Sequence, residues 1–367
     1  MFLNEIQNKI EKRNPWKENS RIFAEKYTAN TEQFPHDDFR ILTENGFHGA
    51  NVPTEYDGWG LDKDSEKLLN ILRLAGMRDL SLGRIYEGHI NAILLVMEYG
   101  NNMQKEQYFQ EAIKGKLFGV WNSDLPSEAL RLNSAEIKPT LVGAKIFCSG
   151  ASHVHRPIIT AATPQGKQMV VFHLDEHQLT EDYTYWKPMG MKASVSCRFD
   201  FSGISISENQ MLGDLDDYER QPDFSGGAIR FAAVQLGGAE AAINATVRHL
   251  KKLGRTSHLD QIRRLGQLAI LRERGQLWLK GAARAMDRKR EEPHHYRHYA
   301  NMFRTEVRKL CEVVLQISEM CVGLQGLLEP HPLERIHRDL TVYLKQPGPD
   351  KALSEVGAYS TTNSGQK

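Results

Sequence analysis

The chain has 367 residues, with 47 Lys and Arg against 46 Asp and Glu and a formal charge of +1. That length exceeds the roughly 100 to 150 residues at which single domains cluster, so two or three packed units are expected. The charge balance argues against an electrostatic grip on nucleic acid or an anionic membrane as the main business of the chain.

The N-terminus, residues 1–21, alternates apolar and charged residues and lacks both an apolar h-region and a small-residue cleavage site. It reads as the mature amphipathic helix of a cytoplasmic protein. Helical spacing runs on to about Gly115, through residues 64–76 and 88–100, with Gly76 and Gly100 where such helices should stop. The apolar run from Ala92 to Met97 falls far short of the roughly 20 residues of a membrane helix, so no membrane partner is expected. From about Lys116 to Asp214 the pattern changes to short strands at 117–122, 140–150, 157–163, 168–174 and 196–206, rich in Val, Ile and Phe and divided by Gly, Pro and Ser. After a linker at 216–227 the helical period returns, with Ala232, Leu236, Ala239, Ile243, Val247 and Leu250 on one face. Two further long helices, over 260–286 and 297–323, read with it as an antiparallel bundle. The expected units are an all-α domain over 1–115, a β domain over 116–220, a helical bundle over 221–350 and a polar tail over 351–367, of which 360–367, without an apolar anchor, reads as frayed.

Cys148, Cys197, Cys311 and Cys321 have no C-x-x-C spacing and read as buried thiols rather than disulfides or a zinc site. His294, His295 and His298 sit beside a proline after a charged run and read as a solvated turn, so no metal site is expected. No Gly-x-Gly-x-x-Gly follows a strand and no Walker-type loop occurs, which leaves a Rossmann dinucleotide site and an NTPase without support.

Five blocks recur in an ordered series. They are Pro53, Glu55, Tyr56, Gly58, Gly60 and Leu61; then Gly143, Lys145, Phe147, Ser149 and Gly150; then Trp186, Gly190, Ser194, Ser196, Phe199, Phe201, Ile206, Leu212 and Gly213. Arg255, Gln261 and Arg264 follow, and then Gly323, Gly326, Pro332, Glu334, Arg338, Asp339 and Tyr343. From about residue 40 to 350 this series resembles the acyl-CoA dehydrogenase family. The resemblance implies an α+β fold with an N-terminal helical domain, a central small β-barrel or sandwich and a C-terminal four-helix bundle. It also implies FAD as cofactor and a homodimer or homotetramer. In such a site Phe147 would pack on the isoalloxazine ring and Ser149 would bond near its N5, since residues two apart on a strand share a face. Trp121, Asn122 and Ser123 at a strand end, with Gly323 and Gly326, complete the implied cofactor contacts. Arg255 with Gln261 would reach the pyrophosphate of a neighbouring subunit's dinucleotide, a task that suits the forked donors of a guanidinium.

The family's reaction removes an α proton of a thioester with a desolvated carboxylate of raised pKa while hydride leaves for flavin N5. Two residues ahead of Pro332, where the resemblance places that base, stands Pro330; Glu329 is one residue earlier and is the candidate base. Three readings follow. The first is an acyl-thioester dehydrogenase using Glu329, passing electrons to an electron-transfer flavoprotein and acting on acyl-CoA or another small molecule. The second is a flavin monooxygenase on the same fold, fed by a flavin reductase and needing no catalytic glutamate. The third is a non-catalytic scaffold.

Overall fold

The computed structural model describes residues 32–133 and 138–362, so the amphipathic helix expected at the N-terminus lies outside the described residues. Among the described residues four α-helices come first: α1 His36–Glu44, α2 Ser65–Arg78, α3 Leu80–Tyr99 and α4 Asn102–Ile113. Asp64 and Asp79 cap α2 and α3 by accepting from Lys67 N and Leu82 N, and Gly100 ends α3. Gly76, expected as a stop, instead lies inside α2. A Cβ there would sit 2.1 Å from the Val234 carbonyl oxygen, so the glycine serves close helix crossing rather than termination.

The strands are β1 Phe118–Trp121, β2 Arg131–Asn133, β3 Thr140–Val142, β4 Ala144–Cys148, β5 Arg156–Thr163, β6 Gly166–Val171, β7 Cys197–Asp200 and β8 Met211–Leu212. One sheet runs β3-β2-β5-β6-β8 with β1 added parallel to β5, and β4 pairs with β7 apart from it. Phe199, Phe201 and Ile206 are buried between these layers.

The C-terminal helices are α5 Gly226–Lys252, α6 Leu259–Asp287, α7 Pro293–Val322 and α8 Pro332–Tyr343. On α5, the expected apolar face is buried at Ala232, Leu236, Ala239, Ile243 and Leu250. By length and hydropathy α7 could cross a membrane, but it is a core helix whose Phe303, Val307, Leu310 and Val314 are fully covered. The polar tail expected from 351 forms a helix as far as Thr362, and residues 363–367 of the stretch expected to fray lie outside the described residues: α9, Pro349–Thr362, packs along α7, buries Ala352, and ties Glu355 to Arg297 and Asn301. Ala352 and the Glu355 pair supply anchors that a composition reading of the tail overlooked. All four cysteines are buried and free.

One buried polar cluster joins the three parts. Arg335 on α8 donates to Asp79, the cap of α3, and to Asp339 one turn along, while Asp339 accepts from Met191 N at 2.6 Å. A Cβ at Gly190 would lie 2.1 Å from the Arg338 carbonyl oxygen, so the loop before β7 lies directly on α8.

Breaking a buried pair by removing one partner costs about 3–5 kcal/mol. Arg335→Met, which strands both carboxylates, is expected to lower unfolding free energy by that amount in denaturant titration. Burial outweighs the pull of Arg335 and raises the Asp339 carboxyl to about 6. Between the unfolded value near 4 and that folded value, the native state holds a proton that the unfolded chain has lost. The stability this contributes is complete below pH 4 and lost as pH rises through 6. The difference in unfolding free energy between wild type and Asp339→Asn should therefore fall by about 2 kcal/mol from pH 4 to pH 7. A flat difference would contradict the assignment.

Candidate flavin and substrate site

A cavity of about 460 Å³ opens where α3, α5, α7, α9 and the end of α8 meet, with Val120 of β1 in its wall. Its apolar lining includes Leu95, Ala228 and Phe231, but much of the surface is charged. From α3 come Arg84, Glu87 and Asn91, three positions separated by three and four residues and therefore on one helix face. They form a chain: Arg84 donates to Glu87 at 2.9 Å, the Asn91 amide donates to the other Glu87 oxygen, and Arg230 on α5 donates through Nε to Asn91. Glu87 is buried at 3 % exposure. Desolvation lowers the pKa of Arg230. The Tyr343 hydroxyl, at the end of α8, is buried in the cavity wall without a hydrogen-bond partner among the described residues, and burial raises its pKa well above the ordinary phenol value.

Each carboxylate lining the cavity among the described residues has a cationic partner. Glu87 has Arg84, Asp223 has Lys289 and Arg290, and Glu355 has Arg297. Glu329 is exposed in the turn before α8 and is not among the residues lining the cavity. The expectation of an enclosed carboxylate there is corrected, because residue 329 faces solvent outside the cavity.

The implied flavin-facing residues fall into two groups. The first is on the β layer. Phe147 is 45 % exposed in a left-handed backbone conformation (φ 54°), beside a register shift in the β4–β7 pair, while Ile146 and Cys148 point inward. Ser149 is half-buried, and its hydroxyl begins a chain through Ser196 to Ser194, each link 2.9 Å. Met191 and Val195 are also left-handed, with φ 60° and 40°, so backbone strain gathers in the segment that carries these serines. Trp121 is corrected from cofactor contact to support: it is 1 % exposed, stacks on Phe199 and donates to the Ser149 carbonyl at 3.1 Å. Asn122 accepts from Thr160 at 2.6 Å and helps to enclose the buried Lys145, so its side chain serves the interior too. Ser123 is exposed, and its carbonyl accepts from Ile146 N.

The second group lies at one end of the bundle. Arg255 is exposed in the α5–α6 turn. Gln261 donates to the Cys321 carbonyl at 3.3 Å, leaving its side-chain oxygen buried without a partner, next to the turn of Gly323 and Gly326. Among the described residues no hydrogen bond, ion pair or ring contact joins the two groups.

The first group fits a planar heteroaromatic ring. Phe147 offers an open face, and the Trp186 indole N–H, in a ring 6.0 Å from that of Phe147, is buried without an acceptor. Val120 reaches the cavity and its chain neighbour Trp121 holds Ser149, so the ring patch and the cavity share β1. Sequence reasoning missed the Arg84–Glu87–Asn91–Arg230 chain. The available signal was three polar residues at helical spacing within the largely apolar α3.

The chain matches the model for the acyl-CoA dehydrogenase N-terminal domain over residues 13–116 and that for the C-terminal domain over residues 221–356. It is 24 % identical to the mitochondrial isobutyryl-CoA dehydrogenase of Dictyostelium discoideum, covering 92 % of this chain and 84 % of that protein. Butyryl-CoA dehydrogenase from Megasphaera elsdenii superposes with a TM-score of 0.79 at 18 % identity, over 89 % of this chain and 90 % of that one. Dibenzothiophene monooxygenase from Paenibacillus sp. A11-2 superposes with a TM-score of 0.80 at 15 % identity, over 98 % and 96 %. At those identities the two superpositions establish the fold. The two matched domains span more than half of the sequence, and the chain belongs to the acyl-CoA dehydrogenase family, whose members bind flavin.

Proposed function

We propose that the chain is an FAD-dependent oxidoreductase that oxygenates a small polar substrate, using flavin reduced by a separate reductase. The observation that carries this reading is the pairing of every carboxylate lining the cavity among the described residues, together with the exposure of Glu329. A guanidinium beside a carboxylate stabilises the ionised form and weakens it as a base. Oxygenation asks for no such base. When bound, reduced flavin would supply two electrons to dioxygen, and with two protons one oxygen atom would go to substrate and the other leave as water. The chain's own residues bind and orient the substrate and exclude solvent. Val120, Leu95 and Phe231 give apolar wall, and the polar chain from Arg84 to Arg230 gives fixed donors.

A second reading, dehydrogenation of an acyl thioester with electrons passed to an electron-transfer flavoprotein, is favoured by the dehydrogenase relative that spans most of the chain. It requires Glu87 to be released from Arg84. The two readings separate in an anaerobic titration of the oxidised flavoprotein with short acyl-CoA thioesters. The expected result is no bleaching of the flavin, with products forming only when reduced flavin and oxygen are supplied together. Bleaching that disappears in Glu87→Gln would establish the second reading.

The bundle end is proposed to meet a second copy of the chain and to lend Arg255 and Gln261 to its FAD. Supporting this, Leu259 is 63 %, Ile262 50 % and Leu324 72 % exposed around those residues, an apolar patch of the kind that marks an interface. Arg255→Gln should weaken FAD binding about tenfold and leave FMN, which has no pyrophosphate, nearly unchanged. Leu324→Asp should shift the molecular mass by light scattering toward the monomer and lower FAD content with it. An FAD-replete monomer would contradict the shared site.

A further inference from the structure

We propose that the substrate carries an oxyanion, a carboxylate or a phosphate monoester, and that Arg230 holds it. This deepens the reading of the cavity as the substrate site and rests on it. Arg230 uses one of its five donors, Nε, on the neutral side-chain oxygen of Asn91. Among the described residues its two Nη groups have no acceptor and no carboxylate pairs with it, because Glu87 is taken by Arg84, Asp223 by Lys289 and Arg290, and Glu355 by Arg297. The guanidinium is held in place beside bare backbone: a Cβ on Gly226 would lie 2.6 Å from Arg230 Nη1 and 2.7 Å from the Tyr296 hydroxyl. Glu87 and Asp223 lie within electrostatic range of Arg230 but are engaged by other cations, so an oxyanion from the substrate is the group that can fill its two open Nη positions with parallel hydrogen bonds.

A second observation points to a ligand. The Tyr343 hydroxyl is buried in the same cavity wall with no partner among the described residues, as is the Tyr99 hydroxyl. Buried polar atoms are nearly always satisfied, so donors left open on a cavity mark where a ligand's acceptors go. The same group discriminates against a plain fatty acyl chain, whose burial beside Arg230 would leave its Nη donors without acceptors. A volume near 460 Å³ suits a compact molecule with an aromatic or branched body against Val120 and Phe231.

The test is calorimetric binding of benzoate, phenyl phosphate and neutral benzamide to the purified full-length protein. At least one anion should bind tenfold or more tightly than benzamide. A benzoate preference identifies a carboxylate, and a phenyl phosphate preference a phosphate monoester. Arg230→Gln should abolish the preference, Arg230→Lys should keep part of it, and Tyr343→Phe should weaken the preferred anion severalfold, with melting temperatures confirming the fold. Equal binding of all three probes, or a preference that survives Arg230→Gln, overturns the proposal. If Arg230→Gln does not fold, unchanged anion binding in Tyr343→Phe overturns it instead. Binding is read without turnover, so an anion-selective protein that bleaches with thioesters would remove the oxygenase reading alone, and an oxygenase without anion preference would remove this one alone.

Discussion

The structure depends on a buried arginine shared between two aspartates. Arg335 reaches Asp79 at the start of α3 and Asp339 on its own helix, and Asp339 takes the backbone N–H of Met191 from the loop before β7. N-terminal helix, β layer and C-terminal helix are thereby fixed to one another at a single point. Because Asp79 caps α3, that point sets the position of Arg84, Glu87 and Asn91 farther along the same helix. Because Asp339 lies on α8, it also sets Tyr343 one turn on, whose carbonyl is held by Gln235 of α5 at 2.9 Å. The Met191 end leads through two left-handed residues to the serine chain at Ser194, Ser196 and Ser149. Strain in that loop is tolerated because α8 holds its backbone.

The cavity consequently carries a linked polar chain across a wall that also includes Leu95, Val120, Ala228 and Phe231. A chain of three donor–acceptor links crosses from α3 to α5, so moving one side chain unsatisfies its neighbours. Glu87 shows this coupling: its two oxygens are already engaged by Arg84 and Asn91. Arg230, held at Nε by a neutral amide, has its Nη donors left to offer.

Much of the fold was legible in the sequence because it is written in periodicity. The β1, β5, β6 and β7 strands and the long α5, α6 and α7 helices fall where Val, Ile and Phe clusters or three-and-four spacing put them. Gly76 misled because a glycine that permits close helix packing and one that ends a helix look alike without knowledge of Val234 across the gap. The α9 helix was hidden because its anchors, Ala352 and the Glu355–Arg297 pair, are a small residue and a surface charge until the partner helix is known. Within the site, the family pattern pointed to the β4 segment, where Phe147 is open as a ring contact requires. It placed the acid at Glu329 by local spacing, and spacing carries no information about burial. The polar chain on α3 escaped because its meaning lies in Arg230, 139 positions from Asn91 in sequence.

The central claim is that the Phe147 patch and the charged cavity are two sides of one site joined through β1. A crystal structure of the FAD-loaded protein tests it most directly. The account predicts the flavin ring against Phe147, its far side open to the cavity wall at Val120, with Arg230 unpaired by any protein carboxylate. Ring density away from Phe147, or a carboxylate of the chain seated on Arg230, would contradict it.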